Sequence, residues 1–164
     1  MTIEVSNPAP VPAAGRAERV REIATARKQL RGALIPILHA VQEELGYVDQ
    51  SDVPVIADVL NFSVAEVHGV VTFYRDFRRE PAGRTTVRIC QAEACRSVGA
   101  VELGEHAKRR TRVGFGETTY DGKLTVDEVF CLGNCALGPT VAVGDRLHGR
   151  VSPARFDALL GDLR

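Results

Sequence analysis

Residues 85–95 read TTVRICQAEAC and residues 124–135 read LTVDEVFCLGNC. Each stretch opens on a strand-like run, Thr85 to Cys90 and Leu124 to Phe130, and each ends in a cysteine pair, Cys90-x4-Cys95 and Cys131-x3-Cys135. Between them Val98 to Arg110 has the character of a helix, so the three segments spell a βαβ unit. Parallel strands carry their carboxyl-terminal loops to one edge of a sheet, where ligand sites of open α/β sheets gather. Both cysteine pairs lie in such loops and are expected to meet there. These are the only four cysteines of the chain, and four thiolates are the number that closes an iron–sulfur centre. Gathered as bare charges they would repel; a cationic metal centre neutralises them.

Downstream, Thr140 to Val143, the turn Gly144-Asp145 and Arg146 to Val151 predict a hairpin. Ser152 as N-cap and Pro153 at the first helical position open a last helix through Leu160. Asp121-Gly122 marks a turn that would hold a further short strand at Thr118 to Tyr120. Upstream, Pro81 and Gly83 interrupt the periodicity between Arg78 and Arg84, which sets the boundary of a different region. There Val20, Ile23 and Leu30, then Leu34, Ile37, Leu38, Val41 and Leu45, recur at helical spacing on either side of a break near Gly32. A third helix is expected from Val53 to Leu60. Ser63 with Glu66 forms a capping box opening a fourth helix toward Phe73, with the group Val67, Val70, Val71, Phe73 and Tyr74 expected in the bundle core, some of it open to face a partner subunit. The expected class is α+β: a tail over residues 1–14, a helical bundle over 15–80, and a domain with a small mixed sheet over 84–164.

Lys plus Arg balances Asp plus Glu at 21 each over 164 residues, and neither half is strongly basic, which points away from nucleic acid. No segment approaches the ~20 apolar residues of a membrane helix, and the first residues lack the pattern of a leader. The cytoplasm is the expected compartment. Reduced thiols persist there, favouring metal ligation over a disulfide framework.

Structural zinc prefers C-x2-C knuckles within a C-x2–4-C range, so spacings of four and three are looser than its habit without excluding it. A zinc-binding interaction module therefore remains the alternative from another class. Thiol–disulfide exchange normally uses C-x-x-C, which neither pair has. Gly133 and Gly138 flank Cys135, where missing β-carbons let backbone amides reach sulfur. Arg88 and Arg96 are candidate tuning cations, Arg96 the better placed because it adjoins Cys95. His39, His68, His106 and His148 are assigned to packing or surface roles. Lys108, Arg109, Arg110 and Arg112 are read as cations favoured by a helix C-terminus. Pro139, just before a strand, is a candidate cis-proline. No G-x-G-x-x-G or Walker loop is present to hold a nucleotide.

Leu45-Gly46-Tyr47-Val48, Gly69-Val70-Val71-Thr72-Phe73-Tyr74, the C-x4-C pair and Cys131-Leu132-Gly133-Asn134-Cys135 together resemble the 24-kDa subunit family of respiratory NADH dehydrogenase, the thioredoxin-like 2Fe-2S proteins. The resemblance covers nearly the whole chain after the tail. It implies a thioredoxin-like second domain and one 2Fe-2S cluster held by Cys90, Cys95, Cys131 and Cys135. It further implies an electron-transfer role without catalytic residues of its own. Within the family, Cys90-Gln91-Ala92-Glu93-Ala94-Cys95 and Asn134 to Pro139 look most like the gamma subunit of NAD-dependent formate dehydrogenases. Gly138 stands where complex I members commonly have alanine. The resemblance implies a hetero-oligomeric cytoplasmic complex, with FMN and NAD on a flavin subunit and the molybdenum cofactor on a catalytic subunit. Complex I and the diaphorase of NAD-reducing hydrogenases use close relatives and are the alternatives.

Overall fold

The computed structural model describes residues 13–163. The tail expectation thus lies outside the described residues up to position 12, and its last two positions already belong to a helix. Two compact units divide between Pro81 and Ala82.

The first unit is built from α1 (Ala13–Arg27), α2 (Leu34–Leu45), α3 (Asp52–Leu60) and α4 (Val64–Phe73). Val20, Ile23, Ile37, Leu38, Val41, Leu45, Ile56, Val67 and Val71 form its core at the expected helical spacing. Gly46, at φ 85°, ends α2 in the left-handed conformation and returns its N–H to Gln42 O. At α4 the capping box is complete: the Ser63 hydroxyl accepts from Glu66 N–H, and the Glu66 carboxylate accepts from Ser63 N–H at 2.8 Å. Between α1 and α3 the buried Arg16 guanidinium meets the buried Asp52 carboxylate at 2.7 Å. Arg16 Nη2 also donates to Tyr47 O, and its guanidinium lies 4.4 Å from the centre of the Tyr47 ring.

One expectation fails in this unit, and the α4 group divides between core and surface. Leu30 is half exposed rather than in the first helix's apolar stripe, because α1 ends at Arg27 and turns run on to Gly32. Phe73 is 78 % exposed and Tyr74 also faces outward. Only Val67 and Val71 of α4 are fully buried, one turn apart on the inner face.

The second unit holds a five-stranded sheet in the order β2-β3-β1-β4-β5. Its strands are β1 (Thr85–Cys90), β2 (Glu117–Thr118), β3 (Leu124–Val129), β4 (Val141–Val143) and β5 (Arg146–His148). α5 (Glu93–Arg96) and α6 (Ala100–Thr111) cross between β1 and β3, and α7 (Pro153–Gly161) follows the hairpin. β1 and β3 pair in parallel, and the other neighbours are antiparallel. Val87, Ile89, Val126, Val141 and Val143 meet Leu103, Ala107 and Phe156 of the helices in a buried core. This is the expected α+β class, a helical unit followed by a unit with a mixed sheet.

Three boundaries differ from expectation. The helix expected from Val98 starts at Ala100, after Gly99 at φ 101°, and is preceded by the short α5, which the sequence reading did not include. The short edge strand is Glu117–Thr118, while Tyr120 stands fully exposed in the turn. β5 stops at His148 because Arg150 turns left-handed, at φ 52°, and gives its N–H to Leu137 O.

Candidate metal centre

The parallel register sets Cys90 opposite Val129, so Cys131 emerges two residues beyond, at the same sheet edge. Cys90 is the last residue of β1, and its N–H donates to Thr140 O at 3.0 Å. The next residue fastens the loop twice: Gln91 N–H donates to Val129 O at 2.8 Å, and its buried side chain donates to Ala100 O. Cys95 lies on α5 with its N–H on Ala92 O. Both cysteines are 1 % exposed.

The second pair is held differently. Cys131 adopts φ 123°, a region that disfavours side chains. Gly133 follows at φ 75° and turns its N–H back onto Cys131 Sγ at 3.3 Å, the kind of amide-to-sulfur contact that its missing β-carbon anticipates. Cys135 then opens a single 3-10 turn, Cys135–Leu137. Both of these cysteines are exposed, so the site has a buried side and an open side.

All four cysteines are free. Cys131 Sγ and Cys135 Sγ are 3.7 Å apart, far beyond the ~2.05 Å of a disulfide. Metal–thiolate bonds of about 2.3 Å at tetrahedral angles place two sulfurs on one metal about 3.8 Å apart. The observed distance fits two ligands of one metal ion. Cys90 and Cys95 form the other contacting pair: burial first, then the bond to Cys90, pushes the Cys95 thiol up, while the N–H and hydroxyl of Thr140 oppose the shift. Cys131 pushes the Cys135 thiol up, with a smaller contribution from Cys90. Crowded thiols that raise one another's pKa suit a cation that would take them as thiolates. Among the described residues no three His, Cys, Asp or Glu side chains form a group that could hold one metal ion; the contacting sulfurs are Cys131 with Cys135 and Cys90 with Cys95.

Two glycines keep the cradle narrow. A β-carbon on Gly138 would lie 3.3 Å from Cys95 Sγ and 3.0 Å from Val98 Cγ2. One on Gly149 would lie 2.7 Å from Leu137 Cβ, in the turn that begins at Cys135. The Gly138–Pro139 bond is cis.

Of the proposed tuning cations, Arg88 is directed elsewhere: its Nη2 donates to Gly144 O in the β4–β5 turn. Arg96 is exposed beside Cys95. The histidines take packing or surface places: His39 stacks obliquely on Phe77, His106 bonds Asp157 at 3.0 Å, and His68 is exposed. Sequence reasoning missed Asn134 and Thr140, which bond each other between the two cysteine pairs. Only a polar residue after Gly138-Pro139, entering an apolar strand, hinted at Thr140.

The family model described as thioredoxin-like [2Fe-2S] ferredoxin matches residues 20–164. The chain is 37 % identical over 130 residues to a subunit of the NADH-quinone oxidoreductase of Pseudomonas aeruginosa, covering 79 % of this chain and 78 % of that one. It is 33 % identical over 134 residues to the HndA subunit of the NADP-reducing hydrogenase of Solidesulfovibrio fructosivorans, covering 82 % and 78 %. In fold it resembles an NAD+-reducing [NiFe]-hydrogenase in the H2-reduced state, with a TM-score of 0.64 at 22 % identity. That match spans 79 % of this chain and 22 % of the hydrogenase chain.

Proposed function

This chain belongs to the thioredoxin-like [2Fe-2S] ferredoxin family, and from that premise we propose that it is the electron-transfer subunit of an NADH-dehydrogenase-like complex, holding one 2Fe-2S cluster on Cys90, Cys95, Cys131 and Cys135. The observation that carries this reading is the two-and-two grouping of free thiols, with Cys131 and Cys135 at single-metal spacing. The bound cluster supplies one-electron transfer. The chain's own residues do the rest: the buried pair, Cys90 and Cys95, anchors one side in a dry setting, while Cys131 and Cys135 keep the other side at the surface, where a partner's redox group can approach. Gly133 N–H stabilises negative charge on Cys131 Sγ. No described residue is assigned bond-making chemistry with a substrate.

FMN and NAD belong to a flavoprotein partner in this reading, consistent with the reactions named for the NADH-quinone oxidoreductase and hydrogenase relatives. The sharper form of the proposal places the chain in a cytoplasmic NAD-dependent formate dehydrogenase beside a molybdenum subunit. Its support is the sequence from Cys90 to Cys95 and Gly138 before Pro139. No single described helix is long and apolar enough to cross a membrane.

The test is native purification of the tagged chain with its partners, followed by metal analysis and NAD reduction with formate or hydrogen. Co-purifying flavin and molybdenum with formate-dependent NAD reduction supports the sharp form. Nickel with hydrogen-dependent reduction, or a quinone-reducing assembly, replaces it with a relative's role. Cysteine-to-alanine variants, which leave no donor atom, would overturn the ligand assignment if they kept full iron.

A further inference from the structure

At the amino-terminal ends of the parallel strands, opposite the cysteine edge, Arg84 stands just ahead of β1 and Lys123 just ahead of β3. Arg84 N–H donates to Gly122 O at 3.0 Å and Thr85 N–H to Lys123 O at 2.9 Å, which holds the two cations side by side. The carboxyl-terminal end of α6 brings Arg110 and Arg112 to the same place, and all four line one cleft of about 600 Å3 together with Leu124 and Leu160. In sequence, Lys108, Arg109, Arg110 and Arg112 read as cations favoured by a helix end; the fold sets two of them against Arg84 and Lys123.

One carboxylate lines the cleft, that of Asp121, and its own turn engages it. Asp121 Oδ1 accepts from the Thr119 hydroxyl at 2.6 Å and from Lys123 N–H at 3.1 Å, while Oδ2 lies 3.4 Å from Lys123 Nζ. Arg110 lies 3.4 Å from Asp157, which also meets His106. Arg84 and Arg112 are exposed and enter no ion pair among the described residues. Four cations against one engaged carboxylate give the cleft a positive potential that recruits negative charge. The neutral donors are not aimed at a compact anion: the Thr111 hydroxyl donates to Ala107 O, and that of Thr119 to Asp121. The cleft also sits at the negative end of the α6 dipole, whereas phosphate sites gather backbone N–H groups at a helix N-terminus or a nest. Spread guanidiniums beside leucines suit an extended chain of carboxylates with apolar side chains between them, because each guanidinium can take a carboxylate through two parallel bonds.

Resting on the subunit reading above, we propose that this cleft docks an acidic segment of a partner protein in the complex, its carboxylates on Arg84, Arg110, Arg112 and Lys123 and its apolar side chains against Leu124 and Leu160. The length of β1, Thr85–Cys90, separates the cleft from the nearest cysteine, roughly 16 Å at about 3.3 Å per residue. Docking here therefore leaves the cysteine edge free for electron exchange.

The experiment treats the natively purified complex with a water-soluble carbodiimide, which condenses an amine with a neighbouring carboxylate. Lys123 carries the one side-chain amine of the lining. Mass spectrometry is expected to find Lys123 joined to an Asp or Glu of a partner; with partners present, a Lys123 that joins none overturns the proposal. Arg84→Glu combined with Arg112→Glu is expected to weaken binding of that partner by about tenfold or more, read by titrating it onto the full chain at physiological ionic strength. Arg109→Glu alters the same helix end outside the cleft and is expected to stay within about twofold of the parent. Parent-strength binding by the double variant overturns the proposal, as does an Arg109 variant that weakens binding as far. Iron content and circular dichroism check the fold of each variant; if the double variant fails there, Lys123→Glu, exposed and outside any strand, replaces it under the same criterion. Pyrophosphate that binds the parent chain one to one, and the double variant about tenfold more weakly, overturns the acidic segment in favour of a phosphate ligand. A parent chain that purifies without any partner overturns the subunit reading, and this proposal with it.

Discussion

Replacing Asp52 by Ala tests what holds the helical unit together. The Asp52 carboxylate is 1 % exposed and receives Arg16 Nε at 2.9 Å, Arg16 Nη2 at 2.7 Å and Asp49 N–H at 2.8 Å. Truncation leaves a buried guanidinium without its counter-charge and strips Asp49 N–H of its acceptor. Removing one partner of a buried ion pair costs about 3–5 kcal/mol. At roughly 0.05–0.15 kcal/mol per residue, a unit of about 70 residues holds about 3.5–10 kcal/mol. The substitution therefore brings this unit to the margin of stability. The assay is urea unfolding followed by far-ultraviolet circular dichroism on the full chain. Asp58→Ala serves as control: the Arg21–Asp58 pair has the same 2.7 Å contact, but its side chains are 53 % and 67 % exposed. The control should cost at most about 1 kcal/mol. Pairing Arg16→Met with Asp52→Leu should recover most of the loss, because an apolar replacement removes both desolvated charges. A cost below about 1 kcal/mol for Asp52→Ala would overturn this picture, since it would mean that Arg16 keeps its solvation without Asp52.

Gly83→Ala should lower the melting temperature, because its β-carbon would meet Leu124 backbone atoms at 2.8 Å and no side chain can yield; an unchanged melt contradicts this. Gly149→Ala presses on Leu137 Cβ at 2.7 Å and on its carbonyl, which already receives Arg150 N–H at 2.6 Å. Iron retained per chain after desalting should fall, and parent-level retention would show that the turn yields freely. Ser63→Ala should lower the melting temperature of the helical unit by a few degrees at neutral pH. Glu66 is held below the usual glutamate range by bonds from Ser63 N–H and the Ser63 hydroxyl. Its folded pKa is depressed, so its contribution is complete above the ordinary pKa of about 4.3 and is lost as pH falls through that value toward the folded one. The gap between parent and variant melts should therefore narrow on acidification to about pH 3.5; a gap that widens would contradict the sign.

Where local chemistry decides an element, the sequence was sufficient. Thr85 to Cys90 and Leu124 to Val129 alternate and branch as strands, and the Ser63/Glu66 and Ser152/Pro153 starts appear where their caps require. The placement of both cysteine pairs at one sheet edge was legible because parallel strands carry their carboxyl-terminal loops to the same side. Exposure was less legible. Leu30, Phe73 and Tyr74 are as apolar as buried residues, and only the end of α1 and the orientation of α4 turn them outward. Gly99 could have been read as the start of α6, yet a glycine at the edge of a helical pattern carries no sign of its φ until the neighbouring turns are fixed. Thr140 was hard to read as a site residue because its contacts arise from the return of the chain after Pro139, and its polarity ahead of an apolar strand was the one local hint.

Whether two pairs of thiolates hold a binuclear cluster is decided by iron, sulfide and zinc analysis of the anaerobically purified chain, with electron paramagnetic resonance after dithionite reduction. About two irons and two sulfides per chain are expected, with visible absorption and a rhombic signal from one unpaired electron on reduction. Zinc without sulfide or visible absorption would contradict the cluster, and would make the same four cysteines a structural site with no part in electron transfer.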